Sequence, residues 1–349
     1  MSEETKIFRR ATLASVITST YPMIVVGCYF GITPWNMQRL SIDESDLSYA
    51  ILIFGIFFII SNQVAGRILV PKFGTKLVMT LAFPIVTFSA LLTVISSSYF
   101  YFLLTFISGG IGWGASGPIG GIHSQLIERH FKKIITPYYA MGFNLGILIG
   151  GGLAGLIMRN NYEPYISFTI LSFLSILVSY FVYSFGLPRD LDFKGEGEKF
   201  KFPETNVLLF GFLLFFVFGS GGIIMDWSTL WLSKDLNTPL YLASMGLIFF
   251  SIGGIFANLF SNTLINLFTE KVVGCYFVMI GAVIMFLSLL TNNFYIILVV
   301  LCIYGFAIAN LVPIIIRQAV KQSNESIPMT VTNLITIGLS STCLLYTSD

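Results

Sequence analysis

The sequence predicts an all-α polytopic membrane protein, on the basis of its composition, its long apolar runs and the placement of its basic residues. Of its 349 residues, 55% are hydrophobic and only 10% are charged. Soluble domains carry about 25% charged residues, so this chain has too few to cover a surface in water. Several apolar runs also reach the roughly 20 residues that cross ~30 Å of hydrocarbon. We therefore expect a bundle of helices embedded in the lipid bilayer.

Charged, proline and asparagine clusters divide the chain into candidate spans. The eleven spans cover residues 11–33, 46–69, 77–96, 99–125, 137–158, 164–186, 206–232, 239–267, 272–291, 294–316 and 327–346. The longest polar segment, 187–205, follows the sixth span, and its alternating charges and glycines are typical of a solvated linker. We therefore predict an N-terminal six-helix bundle in 1–186, a linker in 187–205 and a C-terminal bundle in 206–349.

The basic residues orient these spans. If the N-terminus is cytoplasmic, the inner segments hold 16 of the 19 Lys and Arg residues, and the outer segments hold only Arg39, Arg159 and Lys234. This bias follows the positive-inside rule. The short basic N-terminus has no A-x-A cleavage site before the first apolar run, so we interpret that run as a membrane helix rather than a removed signal peptide. We expect a multi-pass protein with a cytoplasmic N-terminus.

An internal repeat relates the two predicted bundles. An offset of 195 residues (247 − 52) aligns the second span and the turn after it with the eighth span and its turn. Apolar segments align easily by chance, so the shared Phe-x-x-Lys spacing in the turns carries more weight than the matched leucines. Transporters are often built from repeated halves. The aligned pairs are Leu52 with Leu247, Phe54 with Phe249, Leu69 with Leu264, Phe73 with Phe268, Lys76 with Lys271 and Val78 with Val273.

The turn after the second span, GRILVPKFGTK (66–76), resembles the loop 2–3 motif of the major facilitator superfamily. The resemblance implies two pseudo-symmetric six-helix bundles that rock against each other. Pro71 stands where that motif has an acidic residue, so its charge relay is incomplete in this sequence. The positions that the resemblance assigns to gating are Gly66, Arg67, Lys72, Gly74 and Lys76.

Three further stretches are similar to the branch of the superfamily around the bacterial inner-membrane protein YbjJ, which is related to fucose permeases. They are HSQLIERHFKK (123–133), MDWSTLWL (225–232) and IANLVPIII (308–316), in the order of helices four, seven and ten. This resemblance implies a transporter of the bacterial cytoplasmic membrane. The chain departs from the branch where Gly221 replaces a usual glutamate, and where Asn258 and Asn262 replace a usual arginine and aspartate.

The same branch continues past its eleventh helix with a Gly-Pro step and a twelfth helix. This chain ends instead at CLLYTSD (343–349), which looks like translated library-adapter sequence. We therefore expect 11 spans of a 12-helix protein. A truncated fragment that transports nothing stays open as an alternative.

Asp226 is the candidate proton-coupling residue. It ends the apolar stretch Val207–Met225, whose 19 residues measure about 28 Å at 1.5 Å per residue. One interpretation is that the helix surfaces there, with Trp227 and Trp231 in an interfacial aromatic belt. The other is that the helix continues and the carboxylate lies in the membrane, where a charge costs roughly 2.5–3.5 kcal/mol and is functional by default. No other acidic residue lies as far inside a span.

The candidate substrate-binding residues lie on spans that the resemblance places around a central cavity, the first, fourth, seventh and tenth. Aromatic faces stack on sugar rings, and an indole N–H can donate to a hydroxyl. Amide and imidazole groups add further donors and acceptors. The alternatives are an aromatic belt for the tryptophans and a merely structural hydrogen bond for the histidine. The candidates are Trp35, Asn36, Trp113, His123, Gln125, Trp227 and Asn310.

The sequence excludes several classes of function. It contains no Walker motif, no HExxH motif and no zinc-type Cys/His cluster, and its net charge of +2 indicates no nucleic-acid partner. We predict a protein that is not an enzyme and has no cofactor or metal, and that moves a small, sugar-like solute by alternating access coupled to protons. The alternative is a proton-coupled exporter of amphiphilic or drug-like compounds, whose cavity the 34 Phe and 16 Tyr would line.

Overall fold

The structure is a computed structural model that describes residues 3–194 and 201–345, with side chains as far as residue 341. Within these residues every regular element is a helix. Ten of the helices are long and apolar enough to cross a membrane. They are α1 (Glu3–Gly31), α2 (Glu44–Phe73), α3 (Thr75–Ile95), α4 (Tyr99–Phe131), α5 (Thr136–Arg159), α6 (Pro164–Phe185), α7 (Thr205–Lys234), α8 (Leu240–Leu259), α9 (Ser261–Ser288) and α10 (Phe294–Gln322). A further apolar helix, α11 (Ile327–Leu345), follows α10.

The helices confirm the predicted all-α membrane fold, while the number of spans stays a prediction at eleven because α11 is described in full only to residue 341. Three helices extend well beyond their predicted ends, at the start of α1 and at the ends of α4 and α10. Apolar length detects only the part of a helix that lies in hydrocarbon, and polar residues continue these three helices past it. The predicted linker residues 195–200 and the end CLLYTSD from residue 346 lie outside the described residues, as does the side chain of Cys343.

Local sequence signals begin two of the helices. Asp43 and Asp46 form a capping box at the start of α2, with the Asp43 carboxylate accepting from the Asp46 N–H at 2.9 Å. The Glu128 carboxylate, at the end of α4, accepts from the N–H groups of Ile135 and Thr136 at 2.7 Å each. These bonds satisfy N–H groups that the first turn of α5 leaves without a helical partner, so Glu128 sets the α4–α5 turn.

The helices pack first within each predicted half of the chain and then across the boundary between them. α1 packs on α5, α4 packs on α2 and α3, and α3 also packs on α6. In the second half, α7 packs on α11 and α8 packs on α10. The two halves meet mainly where α2 packs on α11 and where α5 packs on α8. The division at 186 and 206 into two bundles stays a prediction.

The repeat is visible in the backbone of the turns. Under the offset of 195 residues, Gly74 aligns with Thr269. Gly74 has φ 86° and ψ 161° between α2 and α3, and Thr269 has φ 68° and ψ 156° within α9, where the chain turns. The break at Phe260, between α8 and α9, is bridged by helical hydrogen bonds from Phe260 N–H and Leu264 N–H. The predicted eighth span therefore continues to the turn at Thr269.

Candidate functional site

Both halves of the chain contribute residues to each end of the helix bundle. The N-terminus, the α2–α3 turn and the linker lie at one end, which we call the linker face. The short helix Thr33–Leu40, after α1, and the end of α7 lie at the opposite end, which we call the far face. Helices α1, α5, α7 and α8 run between the two faces.

Asp226 lies inside α7, which continues as a helix for eight residues to Lys234. Its sequence neighbours pack on the first half of the chain. Met225 contacts an apolar cluster built from α1, α4, α5 and α8, and Trp227 contacts one built from the short helix, α2 and α4. The half-buried Asp226 therefore belongs to the part of α7 that is packed between the halves.

Tyr29 of α1 is the titratable group that links Asp226 to the far face. The Asp226 carboxylate and the Arg39 guanidinium both act electrostatically on the Tyr29 hydroxyl. That hydroxyl oxygen is buried and has no hydrogen-bond partner among the described residues. An acidic and a basic group thus both act on the same phenol where α1 meets α7.

Trp113 lies at the junction of the halves. Its indole covers Gly117 on the next turn of α4, where an added Cβ would lie 3.1 Å from the indole Cε2. Its ring centroid is 6.5 Å from that of Phe143 on α5. Trp113 also packs on a cluster that contains Ile147 of α5 and Leu247 of α8. Trp113, one of the aromatic candidates predicted from the sequence, therefore lies beside the contact between α5 and α8, which we call the α5–α8 seam.

Trp35 and Asn36 lie on the short helix Thr33–Leu40 rather than on α1, where the sequence prediction had placed them. The chain leaves α1 at Gly31, so the predicted first span was too long by two residues at this end. Trp35 packs on an apolar cluster of α1, α3, α5 and α6, and the Arg39 guanidinium lies 5.2 Å from its ring centroid. The Asn36 Oδ1 accepts from Arg39 Nη2 at 3.0 Å. Both residues therefore contact the first half.

His123 and Gln125 are buried near the linker-face end of α4, and each has a structural partner. The His123 Nε2 accepts a hydrogen bond from the Leu187 N–H at 3.1 Å. The Gln125 Nε2 donates to the Thr136 Oγ1 at 2.7 Å. His123 thus holds the beginning of the linker, and Gln125 supports the α4–α5 turn. The His123 Nδ1 is buried and has no hydrogen-bond partner among the described residues, so the role of His123 stays a prediction.

The first part of the predicted linker is partly packed on the first half of the chain, with Leu187 and Asp192 buried and Arg189 and Asp190 exposed. Leu187 is fully buried and Asp192 is 6% exposed. The Asp192 carboxylate accepts from the Thr75 Oγ1 at 2.8 Å and from the Lys76 N–H at 3.3 Å, at the start of α3. A carboxylate at a helix N-terminus satisfies free N–H groups and favours the helix dipole. The alternation of charges could not have revealed this contact.

Arg189 binds the other side of the same turn. Its guanidinium donates to the carbonyl oxygens of Pro71 at 3.2 Å and Lys72 at 3.3 Å, at the end of α2. Gly74 lies between these groups, and an added Cβ there would lie 2.5 Å from an Asp192 carboxylate oxygen. The acidic group that the loop motif lacks at Pro71 is therefore supplied to this turn by the linker.

The other two predicted gating lysines make weaker contacts. Lys72 is exposed, and its Nζ lies 5.1 Å from the Phe73 ring centroid. The Lys76 Nζ lies 4.5 Å from the Tyr183 ring centroid. Both arrangements are cation–π contacts within the first half of the chain.

Buried polar contacts join α2 to α11 at the linker face. The Asn62 Nδ2 donates to the Thr332 carbonyl oxygen and to the Thr336 Oγ1, at 3.0 Å each. The Arg67 Nη2 donates to the Asn333 Oδ1 at 2.8 Å. Gly66 packs directly on Thr332, where a side chain would collide with its hydroxyl. The linker face is therefore closed by paired side chains of both halves.

The far face is more open. A cleft of about 390 Å³ lies between the short helix and the segment that joins α7 to α8, with Gln38 and Lys234 among its lining residues. Lys234 also pairs with Glu44 at the start of α2, and both side chains are about half exposed. Exposed ion pairs contribute little free energy, so this contact restrains the far face only weakly.

Asn310 is buried at the α8–α10 contact. Its Nδ2 donates to the Ala257 carbonyl oxygen at 3.0 Å, while its Oδ1 has no partner among the described residues. Within the described ranges 3–194 and 201–345, no group of three or more His, Cys, Asp or Glu side chains is arranged to hold a metal ion.

Comparisons with known proteins identify the family. The family model described as Major Facilitator Superfamily matches residues 14–345. The chain belongs to the major facilitator superfamily. An uncharacterised MFS-type transporter of Yersinia pestis is 22% identical over 312 residues, which are 88% of this chain and 79% of that protein.

Solved structures of the superfamily share the fold. A D-xylose–proton symporter superimposes with a TM-score of 0.72 at 14% identity, covering 99% of this chain and 89% of that one. A mutant of the nucleoside transporter NupG superimposes with a TM-score of 0.69 at 14% identity, covering 96% and 89%. A bacterial homologue of the lysosomal transporter Spinster, inward-facing and unoccupied, gives a TM-score of 0.69 at 14% identity, covering 99% and 81%.

Membership of the superfamily confirms the coarse prediction from sequence. The chain is a multi-pass membrane transporter of a small-molecule substrate, and not an enzyme. The narrower resemblance to the YbjJ branch stays a prediction, as do the roles of the individual site residues.

Proposed function

We propose that this transporter moves a small, neutral, sugar-like solute across the bacterial inner membrane by alternating access coupled to protons, with its N-terminus in the cytoplasm. The observation that carries the proposal is the position of Asp226, on the part of α7 that packs between the halves and beside Tyr29 of α1. The basic bias of the segments at the linker face supports the orientation. In this orientation the linker face is cytoplasmic.

The proposed coupling uses the charge of Asp226. A carboxylate that moves through an apolar environment carries a cost of roughly 2.5–3.5 kcal/mol on insertion scales. Protonation removes the charge, so the halves close more readily over a protonated Asp226 than over an ionised one. An ionised Asp226 would hinder closure, so solute would cross when the carboxylate is protonated, and the proton would cross with it.

The proposed gate is the α2–α11 seam. Asn62 and Arg67 pair with α11 at the linker face, and these bonds must break before solute can leave to the cytoplasm. The cleft at the far face would receive solute in the state described. Alternating access is then the rocking of one half against the other, with the linker contacts of Asp192 and Arg189 holding the α2–α3 turn rigid.

The names of two proteins that share this fold are compatible with a sugar-like substrate class. A D-xylose–proton symporter and a nucleoside transporter share this fold, and both names denote solutes that carry hydroxyl groups. In this chain Trp113 lies beside the seam and is half-buried, as a stacking face for a sugar ring would be.

The test is the external pH of weakly buffered, de-energised cells that express the protein, with sugars and nucleosides added one at a time. We expect alkalinisation with at least one solute and its loss in Asp226→Asn. The matched control is Asp235→Asn, an exposed aspartate one residue past the end of α7, which should leave the signal unchanged. Alkalinisation that survives Asp226→Asn would remove Asp226 from the coupling.

If no sugar or nucleoside changes the external pH while the protein is confirmed in the membrane, this result would count against symport. Acidification upon addition of an amphiphilic cation would then favour the proton-coupled exporter.

A further inference from the structure

Asn258 of α8 is a buried amide for which the structure provides no partner. It is 2% exposed, and neither its Nδ2 nor its Oδ1 has a hydrogen-bond partner among the described residues. Buried polar side chains almost always have at least one partner, and each exception calls for an explanation. An amide that is orphaned at both of its polar atoms therefore keeps its full capacity to bind a water or a solute.

Two further amides contact α8 close to Asn258, one from each neighbouring helix. Asn144 of α5 rests on Gly254, where an added Cβ would lie 2.5 Å from the Asn144 Oδ1. Gly254 is one turn before Asn258, so both occupy the same side of α8. Asn310 of α10 donates to the carbonyl oxygen of Ala257 and keeps an orphaned Oδ1. The amides of Asn144 and Asn310 therefore contact α8 within one turn of Asn258, where α8 packs on α5 and α10.

The three amides also lie in the linker-face half of the bundle, about 12 to 18 Å from the linker-face ends of their helices. Asn144 is 8 residues from the start of α5 at Thr136 (144 − 136), about 12 Å at 1.5 Å per residue. Asn258 is 11 residues before the turn at Thr269 (269 − 258), about 16 Å along the helix. Asn310 is 12 residues before the end of α10 (322 − 310), about 18 Å. Because polar residues continue α10 past the hydrocarbon at this end, these distances place the amides between the linker-face boundary and the middle of a ~30 Å membrane.

The three amides are uncharged, and each offers both a hydrogen-bond donor and an acceptor. The hydrogen bonds described for Asn144 and Asn310 are to the backbone carbonyl oxygens of Ala140 and Ala257, and no charged side chain takes part in them. A carboxamide presents a donor beside an acceptor. A cation would use the oxygens and leave the NH₂ groups unpaired, whereas an amide or a pair of hydroxyls on a solute satisfies both.

An apolar surface adjoins the amides. Ile147 lies one turn after Asn144 on α5 and packs with Leu247 of α8 and Trp113 of α4. Binding sites for small molecules combine such apolar walls with a few placed polar groups. The cluster therefore has both parts of a site for a small polar solute.

We propose that Asn144, Asn258 and Asn310 form a binding subsite for a neutral solute that carries a hydrogen-bond donor next to an acceptor. The proposal rests on the proposed function and assigns the solute-recognising groups to the α5–α8–α10 junction. The amides are covered in the state described, so the solute reaches them when the halves move apart along the α5–α8 seam.

The first test needs no solute. Asn258→Leu replaces the orphaned amide by an apolar group of similar size, so it should raise the melting temperature of the purified protein by at least about 2 °C. The matched control is Asn62→Leu, a buried amide whose Nδ2 has two partners, which should lower it. If leucine does not fit, Asn258→Ala provides the same comparison. A melting temperature that falls in both Asn258 variants would show a structural amide and overturn the proposal.

The second test measures protection by two probes, uridine and D-xylose, which offer a lactam edge or neighbouring hydroxyls. We expect at least one of them at about 10 mM to raise the melting temperature of the wild type and not that of Asn258→Leu. A melting temperature that rises with NaCl but not with choline chloride would indicate a sodium-ion site and overturn the proposal. Protection by neither probe would overturn it as well.

The outcomes separate this proposal from proton coupling. Solute-driven alkalinisation that is unchanged in Asn258→Ala would keep the transporter function and overturn the subsite. The opposite result is also possible. If a probe raises the melting temperature of the wild type but not that of Asn258→Leu, and no solute causes alkalinisation, the subsite stands and proton coupling is overturned.

Discussion

Thr269 adopts the backbone conformation of Gly74, its counterpart in the other half of the chain. Both residues have positive φ and a ψ near 160° at the turn that follows the second helix of their half. This region of φ and ψ is accessible to glycine and strained for a β-branched residue. The fold therefore requires the same turn conformation in both halves. In the second half this conformation is adopted by Thr269, for which it is strained.

Thr269→Gly should stabilise the protein. Relief of the strained conformation stabilises the folded state by about 1–3 kcal/mol. The greater freedom of glycine in the unfolded chain offsets about 0.5–1 kcal/mol of this gain. We expect the melting temperature in detergent to rise by about 2–4 °C. The opposite change, Gly74→Thr, should lower it, because a side chain at Gly74 meets the Asp192 carboxylate. A lower melting temperature for Thr269→Gly would contradict this account of the turn.

Asp192→Asn should destabilise the α2–α3 turn. The carboxylate caps α3 through Thr75 and Lys76, and losing such a cap costs about 0.5–2 kcal/mol. Limited proteolysis after Arg189 or Lys194 should become several-fold faster. The neighbouring Asp190 is exposed and provides the control, since Asp190→Asn should leave the cleavage rate unchanged. Equal rates in the two variants would mean that the linker is not held by Asp192.

Asn62→Ala should open the linker face. It removes both hydrogen bonds to α11, each worth about 0.5–1.5 kcal/mol, so the open population should rise about tenfold. The measurement is the rate at which N-ethylmaleimide labels Thr332→Cys, a fully buried position, with the native cysteines replaced by serine. Asn160→Ala, at an exposed amide on the far face, should not change the rate. Unchanged labelling in Asn62→Ala would show that the α2–α11 seam does not depend on these bonds.

The two ion pairs of the described residues should differ in stability. The Glu270 carboxylate accepts from Arg317 at 2.8 Å and from Gln318 at 2.6 Å, and its side chain is 31% exposed. Glu44 has one partner, Lys234, and both are about half exposed. Glu270→Gln should cost about 1–2 kcal/mol and Glu44→Gln less than about 0.5 kcal/mol. Urea unfolding in detergent compares them, and equal losses would refute the distinction.

Much of the architecture was predictable from the sequence because it depends on lengths. A helix must be about 20 residues long to cross hydrocarbon, so apolar runs located α1 to α10 to within a few residues at most ends. The basic residues lie at the turns for the same electrostatic reason that orients the protein in a membrane. The Phe-x-x-Lys spacing marked two turns whose backbones are indeed equivalent.

The site was less predictable, because a membrane helix is apolar on all sides. Its hydrophobic pattern then does not reveal which face meets another helix. Gln125 and His123 were good candidates by residue type, yet their partners, Thr136 and the Leu187 N–H, are local supports of a turn and a linker. Asp192 was assigned to a solvated linker, and Asn258 was noted only as a departure from a motif.

The sequence by itself therefore determined that this chain crosses a membrane, where most of its long helices lie and that two of its turns are equivalent. Those properties follow from the free-energy cost of burying charges and unpaired backbone groups in hydrocarbon. Each segment avoids this cost through its own length and composition, without help from other segments. Only the tertiary structure decided which polar groups are paired. Asp192 acquires its partners Thr75 and Lys76 from 117 and 116 residues away, because helix packing brings together groups that are distant in the sequence. The same packing leaves Asn258 without a partner among the described residues.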